Sequence, residues 1–148
     1  MNTALMVANT IIIKSLRENK SITPMKLQKL LYMVYACYLA KTNIPLFAER
    51  FEAWQYGPVI SNVYNEFKQY GNSSIDMPYL SKGDNAHYTL EKGVFGSCLQ
   101  EVWSKYSDFT GIALSKITHE DNSAWNKKSL GQFLDDKDIM NDGKKWFS

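Results

Sequence analysis

The chain has 148 residues, 45% of them apolar and 22% charged, the balance of a folded domain with a core and not of a disordered chain. Its formal net charge of +2 supplies no basic field of the kind that nucleic acid or an anionic membrane selects for. These quantities predict one domain over residues 1–148 and set nucleic acid and membrane aside as partners.

Leu5, Ala8, Ile12 and Leu16, with Val7 and Ile11 beside them, recur at helical spacing and predict a first helix ending near Glu18. Asn2, Thr3, Asn9 and Thr10 interrupt this apolar stretch, which is too short to span a bilayer and has no basic segment before it. The expectation is a soluble, cytoplasmic protein. After a polar turn, Ile22-Thr23-Pro24 spells a helix start. Thr23 caps, Pro24 suits the first helical position, and Ile22 staples onto Leu27.

The helix that follows carries Leu27, Leu30, Leu31, Val34, Tyr35, Tyr38 and Leu39 on one stripe, with Met25, Tyr32, Met33, Ala36 and Ala40 elsewhere on its circumference among Lys26 and Lys29. A helix apolar on most sides is packed on more than one side, so this is the predicted central helix. Asn43 and Pro45 end it. Residues 51–56, short and aromatic, read as a strand. Gly57-Pro58 is expected to break that strand and launch the next helix, with Ile60, Val63, Tyr64 and Phe67 on one face and Gly71 as its stop.

Residues 72–86 read as a long surface loop, and residues 87–90 as a brief strand pairing with the Trp54 segment. Phe95, Cys98, Leu99, Val102 and Tyr106 predict another amphipathic helix, and Thr110 caps a shorter one with Ala113, Leu114 and Ile117. From Glu120 onward the chain is polar, and Trp146 and Phe147 suggest a last helical turn folded back onto the core. The predicted fold is mainly α, a compact helical bundle with a short two-stranded β-ribbon.

Chemistry-bearing residues are few. Cys37 and Cys98 are the only cysteines, each within an apolar helical pattern, and read as buried thiols of a reducing cytosol. Thr118-His119-Glu120-Asp121 sets an imidazole beside two carboxylates, but without HExxH or HxH spacing it reads as a helix end and not a metal site. The acidic run Asp135, Asp136, Asp138 reads as a solvated turn. No nucleophile elbow, phosphate-binding loop or dinucleotide fingerprint is present, so the expectation is a non-enzyme without cofactor or metal. The aromatic content of 14% points instead toward a binding surface.

The order LQKLLY, then EAWQYGPV, then THEDNSAW resembles the Panacea domain, an antitoxin-associated family frequent on phages and mobile elements. The resemblance runs over residues 5–147 and is strongest over 27–71. The family pattern falls on Leu27, Gln28, Lys29, Leu30, Leu31 and Tyr32, then on Glu52, Ala53, Trp54, Tyr56, Gly57, Pro58 and Val59, then on Thr118, His119 and Trp125. Ser123-Ala124-Trp125 stands where the family pattern has a Pro-Trp pair. The resemblance implies an antitoxin that neutralises a cognate protein toxin by direct binding, with a protease adaptor or a phage-encoded modulator of a host protein as alternatives. Trp54, Tyr56, Gly57, Pro58, Val59, His119 and Trp125 are the expected partner-binding residues, with the amides of the Gly57-Pro58 turn exposed at a helix start.

Overall fold

The computed structural model describes residues 2–80 and 87–147. Two helices open the chain, α1 (Ala4–Arg17) and α2 (Pro24–Thr42), and both start as their sequences dictate. The Thr3 hydroxyl accepts from the Met6 N–H and the Thr23 hydroxyl from the Lys26 N–H, each satisfying an amide that the first turn leaves without a partner. Asn43 ends α2 in the left-handed region at φ 60°, returning its N–H to the Leu39 carbonyl.

Helix α2 is buried along nearly its whole length, including Lys26, Gln28 and Lys29, and contacts every other helix. It is the central rod that the all-round apolar pattern predicts. In α1, Val7, Ala8, Ile11 and Ile12 are buried, whereas Leu16 at the end of the expected stripe is exposed.

The polar interruptions in α1 have a structural use. Asn9 Nδ2 donates to the carbonyls of Tyr79 and His87, its Oδ1 accepts from the Tyr79 N–H, and Thr10 Oγ1 accepts from the Thr89 N–H. Residues 87–90 therefore lie on α1 as an irregular segment. The expected strand at 87–90 is not formed, because these side chains already take the backbone groups a ladder would use. Of the expected 72–86 loop, residues 81–86 lie outside the described residues.

The ribbon is built elsewhere. Strands β1 (Glu52–Trp54) and β2 (Gly57–Val59) pair antiparallel, Glu52 with Val59, Ala53 with Pro58 and Trp54 with Gly57. This corrects the expectation that Gly57-Pro58 starts a helix. Helix α3 (Ser61–Phe67) begins only after the strand, and a 3-10 turn at Lys68–Tyr70 follows it. Pro58 is tolerated in the ladder because its partner, Ala53, directs both backbone groups to the other side, to the Gln132 carbonyl and the Gly131 N–H. The Ala53–Pro58 pair needs no proline N–H.

Helices α4 (Gly93–Tyr106) and α5 (Gly111–Thr118) follow the sequence reading, α5 capped by Thr110 and α4 burying Phe95, Cys98, Leu99, Val102 and Tyr106. Cys37 and Cys98 are free and buried where α2 meets α4, and their mutual hydrogen bond together with burial pushes the Cys37 thiol up.

The last element departs most from expectation. Residues Asp136–Phe147 form a full helix, α6, making the most extensive packing on α2, where the sequence suggested one turn. The Asp135–Asp138 run is not a free turn either: Asp135 and Asp138 pair with Lys128 and Lys127, and Asp136 accepts from the Tyr35 hydroxyl. The buried face of α6 reads Ile139, Asp142, Gly143, Trp146 and Phe147, a helical stripe hidden in sequence by an aspartate and a glycine. A Cβ at Gly143 would overlap the Ala36 carbonyl of α2. The bare glycine is what lets the two helices approach so closely.

Gly143→Ala is therefore expected to lower stability by about 3 kcal/mol, the upper range for overpacking, since the obstacle is backbone and cannot rotate away. Asn141→Ala on the exposed face of α6 is the control, with an expected change below about 0.5 kcal/mol. Urea unfolding of the two variants checks the difference.

Candidate functional site

A ladder of three residue pairs cannot hold a hairpin by itself, and this one leaves a row of carbonyls pointing into the fold. Side chains from α2, α5 and the turn after α5 take that row almost one by one. Trp125 Nε1 donates to the Trp54 carbonyl at 2.6 Å, His119 Nε2 to Gln55 at 3.1 Å, Ser115 Oγ to Tyr56 at 2.6 Å, and Lys29 Nζ to Pro58 at 3.1 Å. Gln28 closes the row at Ile60, donating to its carbonyl at 3.2 Å and accepting its N–H at 3.0 Å.

The turn that supplies His119 and Trp125 is itself pinned. Ser123 Oγ donates to the Thr118 carbonyl and accepts from the Asn126 N–H, while Asn126 Nδ2 donates to the His119 carbonyl. The His119 and Trp125 rings meet edge to face, centroids 3.9 Å apart. Behind them Asp142 Oδ2 accepts from both the Tyr32 hydroxyl, at 2.6 Å, and the Ala124 N–H, at 3.2 Å. The three sequence motifs thus converge on one end of the bundle.

Gly57 is obligatory at the centre of this arrangement. Its φ of +121° is open to glycine, and a Cβ there would lie 2.7 Å from both Lys29 Cε and Thr118 Oγ1. Lys29 is only 1% exposed, and burial alone lowers its amine to about 7. Burial also lowers the His119 imidazole, against the opposing hydrogen bond to Gln55, and the nearby Lys29 charge adds to the effect. Neutral His119 carrying its proton on Nε2 matches the donation to Gln55. Burial raises the Asp142 carboxyl, partly offset by the Tyr32 hydrogen bond.

The expected site residues are all at this end but differ in accessibility. Tyr56 is 54% exposed at the hairpin tip, Trp54, His119 and Trp125 are half-buried, and Gly57, Pro58 and Val59 are buried. The expected exposed amides are not there: Gly57 and Pro58 lie in β2, and the Ile60 N–H ahead of α3 is taken by Gln28. Ser115 and Asp142 escape sequence reasoning, and Gln28 and Lys29 enter it only as pattern positions. For Gln28, Lys29 and Ser115 the signal was polarity inside an apolar helix, which marks a buried polar group in need of a partner, whereas Asp142 lies in a polar helix and carries no such signal.

Beside the tip lies a cleft of about 430 Å³, bounded by the start of α2, the hairpin and α3. Met25, Trp54, Tyr56, Val59 and Tyr64 give it apolar walls, and the Trp54 and Tyr64 rings pack edge to face at 4.9 Å. Among the described residues, no group of three or more His, Cys, Asp or Glu converges as a metal site, and no helix is long and apolar enough to cross a membrane.

A helical bundle whose motifs meet on a side-chain-clamped hairpin is the class of protein defined here, and comparison with known proteins gives it a family. The chain belongs to the family described as antitoxin SocA-like, Panacea domain, whose model matches residues 27–126. Antitoxin SocA of Caulobacter vibrioides (strain NA1000 / CB15N) is 38% identical over 69 residues, a match covering 47% of this chain and 37% of that protein. The alignment thus spans little more than a third of that relative's length. No solved structure matches the chain.

The buried lysine makes stability depend on pH in a defined direction. Its amine holds a proton less tightly folded, at about 7, than at the ordinary 10.5, so the folded state binds fewer protons between those values. Stability attributable to Lys29 is expected to rise as pH increases from about 7 to about 9, by at most roughly 3 kcal/mol. Lys29→Met, which keeps the length and removes the charge, should flatten that slope in urea midpoints measured across the range. An unchanged slope would assign the dependence to other groups.

Proposed function

We propose that this protein is an antitoxin that neutralises a cognate protein toxin by binding it directly, and that it is not an enzyme. Membership of the antitoxin SocA-like family supports the role, as does the similarity to a protein named as an antitoxin. The observation that carries direct binding is the hairpin tip. Tyr56 projects from it into solvent, with Trp54 and Tyr64 beside it, while the backbone beneath is fixed by Trp125, His119, Ser115 and Lys29.

Rigid aromatic side chains on a fixed backbone are what a high-affinity surface needs. They bring large contact area and lose little conformational freedom on binding. The toxin-facing surface in this reading is Trp54 and Tyr56, bordered by His119 and Trp125, with Gly57, Pro58 and Val59 beneath as its support. No step of such a mechanism needs a nucleophile or a cofactor. Covering the toxin's working surface is sufficient.

The test is co-expression of the tagged chain with the product of its neighbouring gene, scoring growth rescue and co-purification together. Rescue with a stable complex is the expected result. Rescue in which the toxin disappears without a complex would replace direct neutralisation by delivery to a protease, and failure of both would remove the antitoxin reading. Tyr56→Ala and Trp54→Ala are each expected to weaken the complex by about tenfold or more, the effect of losing a central aromatic anchor. Tyr56→Ala should leave the urea midpoint unchanged, and if both variants fold and protect like the parent, this surface is not the one used.

A further inference from the structure

The cleft beside the hairpin tip has a one-sided charge. Among the described residues its basic lining residues are Lys29 and Lys68, and no aspartate or glutamate lines it. Six lysines, Lys14, Lys20, Lys41, Lys127, Lys128 and Lys145, pair with a carboxylate, whereas among the described residues Lys68, like the exposed Lys92, Lys105, Lys116, Lys137 and Lys144, does not. Lys29, buried under the cleft, has a single acceptor among the described residues, the Pro58 carbonyl, for an amine that can donate up to three hydrogen bonds.

The start of α2 adds to this field. Pro24 and Met25 line the cleft, and the first turn of this 19-residue helix holds no acidic side chain to offset its positive end. Two lysines and a helix N-terminus therefore face one space with aromatic walls. Burial of an amine without a carboxylate is unfavourable in the isolated protein and is relieved by an anion brought close to it.

We propose that this cleft receives an acidic segment of a partner protein, one carboxylate-bearing residue next to an aromatic or aliphatic one. The apolar side chain packs between Trp54, Tyr56 and Tyr64, and the carboxylate lies toward Lys68, Gln28 and the start of α2, above Lys29. This specifies which feature of a toxin the antitoxin reading would have the surface recognise, and it rests on that reading only for the identity of the partner.

The recognition chemistry is testable without the toxin. The isotope-labelled full chain is titrated, by amide and indole nuclear magnetic resonance, with two blocked hexapeptides that differ only in glutamate versus glutamine beside a phenylalanine. The acidic peptide is expected to shift Met25, Tyr56, Lys68 and the Trp54 indole saturably and to bind about tenfold more tightly than its amide counterpart. Lys68→Glu, at an exposed position, should remove most of that preference, and Lys68→Arg should retain it. Equal binding of the two peptides, shifts elsewhere on the surface, or equal shifts with sodium acetate alone would overturn the proposal. If the toxin complex forms and Lys68→Glu leaves its affinity unchanged, the cleft proposal fails while the antitoxin reading stands. If the peptides discriminate but no toxin binds, the cleft stands and the toxin reading falls.

Discussion

The inward carbonyl row of the hairpin is the constraint on which the rest of the structure depends. A strand pair of this length has neither the ladder nor the apolar face to stand alone, and the carbonyls of Pro58 and Ile60 at its inner end are buried. The protein meets this with side-chain donors from three directions: Lys29 and Gln28 from α2, Ser115 and His119 from α5 and its end, and Trp125 from the turn beyond. Each net hydrogen bond contributes only about 1 kcal/mol, but omitting the one to Pro58 or Ile60 would leave a buried acceptor unsatisfied at greater cost. The hairpin and the helices around it therefore specify one another.

That dependence explains residues that look out of place by propensity. A lysine in the middle of an apolar helix, a glycine in a strand and a proline in a ladder are each unfavourable locally. Together they fit, because Gly57 leaves room for the Lys29 side chain, Lys29 satisfies the Pro58 carbonyl, and the pairing spares Pro58 a missing N–H. An amine held near 7 by burial lowers stability at neutral pH, and that loss is confined to the end of the molecule where the aromatic tip emerges. Such local conflicts within an otherwise consistent sequence are resolved only by the tertiary contacts that bring these residues together.

Helix positions and caps were legible in the sequence because they rest on local signals. Thr23-Pro24, Thr110 and the stripes of α2 and α4 act through neighbours within a turn or two, and each appears where expected. The hairpin was half legible. The aromatic strand was recognisable, but its partner was not, since Gly57-Pro58 is also a helix-start signal and only the distant Gly131–Gln132 segment decides between the two. Helix α6 was hidden for the same reason, its stripe being legible only once Tyr32 is known to receive Asp142 and Ala36 to face Gly143. For the candidate site, the sequence motifs named residues that the fold brings to one end of the bundle. It could not tell that Gly57, Pro58 and Val59 are buried in the second strand while Tyr56 stands exposed at the hairpin tip.

The Asp142 carboxylate joins the last helix to this neighbourhood. One oxygen, Oδ2, receives both the Tyr32 hydroxyl from the central helix and the Ala124 N–H from the turn that carries Trp125. Trp125 in turn holds the Trp54 carbonyl, so the chain of contacts runs from α6 through a buried carboxylate to the hairpin. A C-terminal helix that reads as a simple lid on α2 is thus also part of the scaffold of the tip. Removing its inner face would do more than expose the apolar surface of α2. It would release the turn from one side and leave two donors without an acceptor, and the hairpin tip would lose part of the scaffold that fixes its backbone.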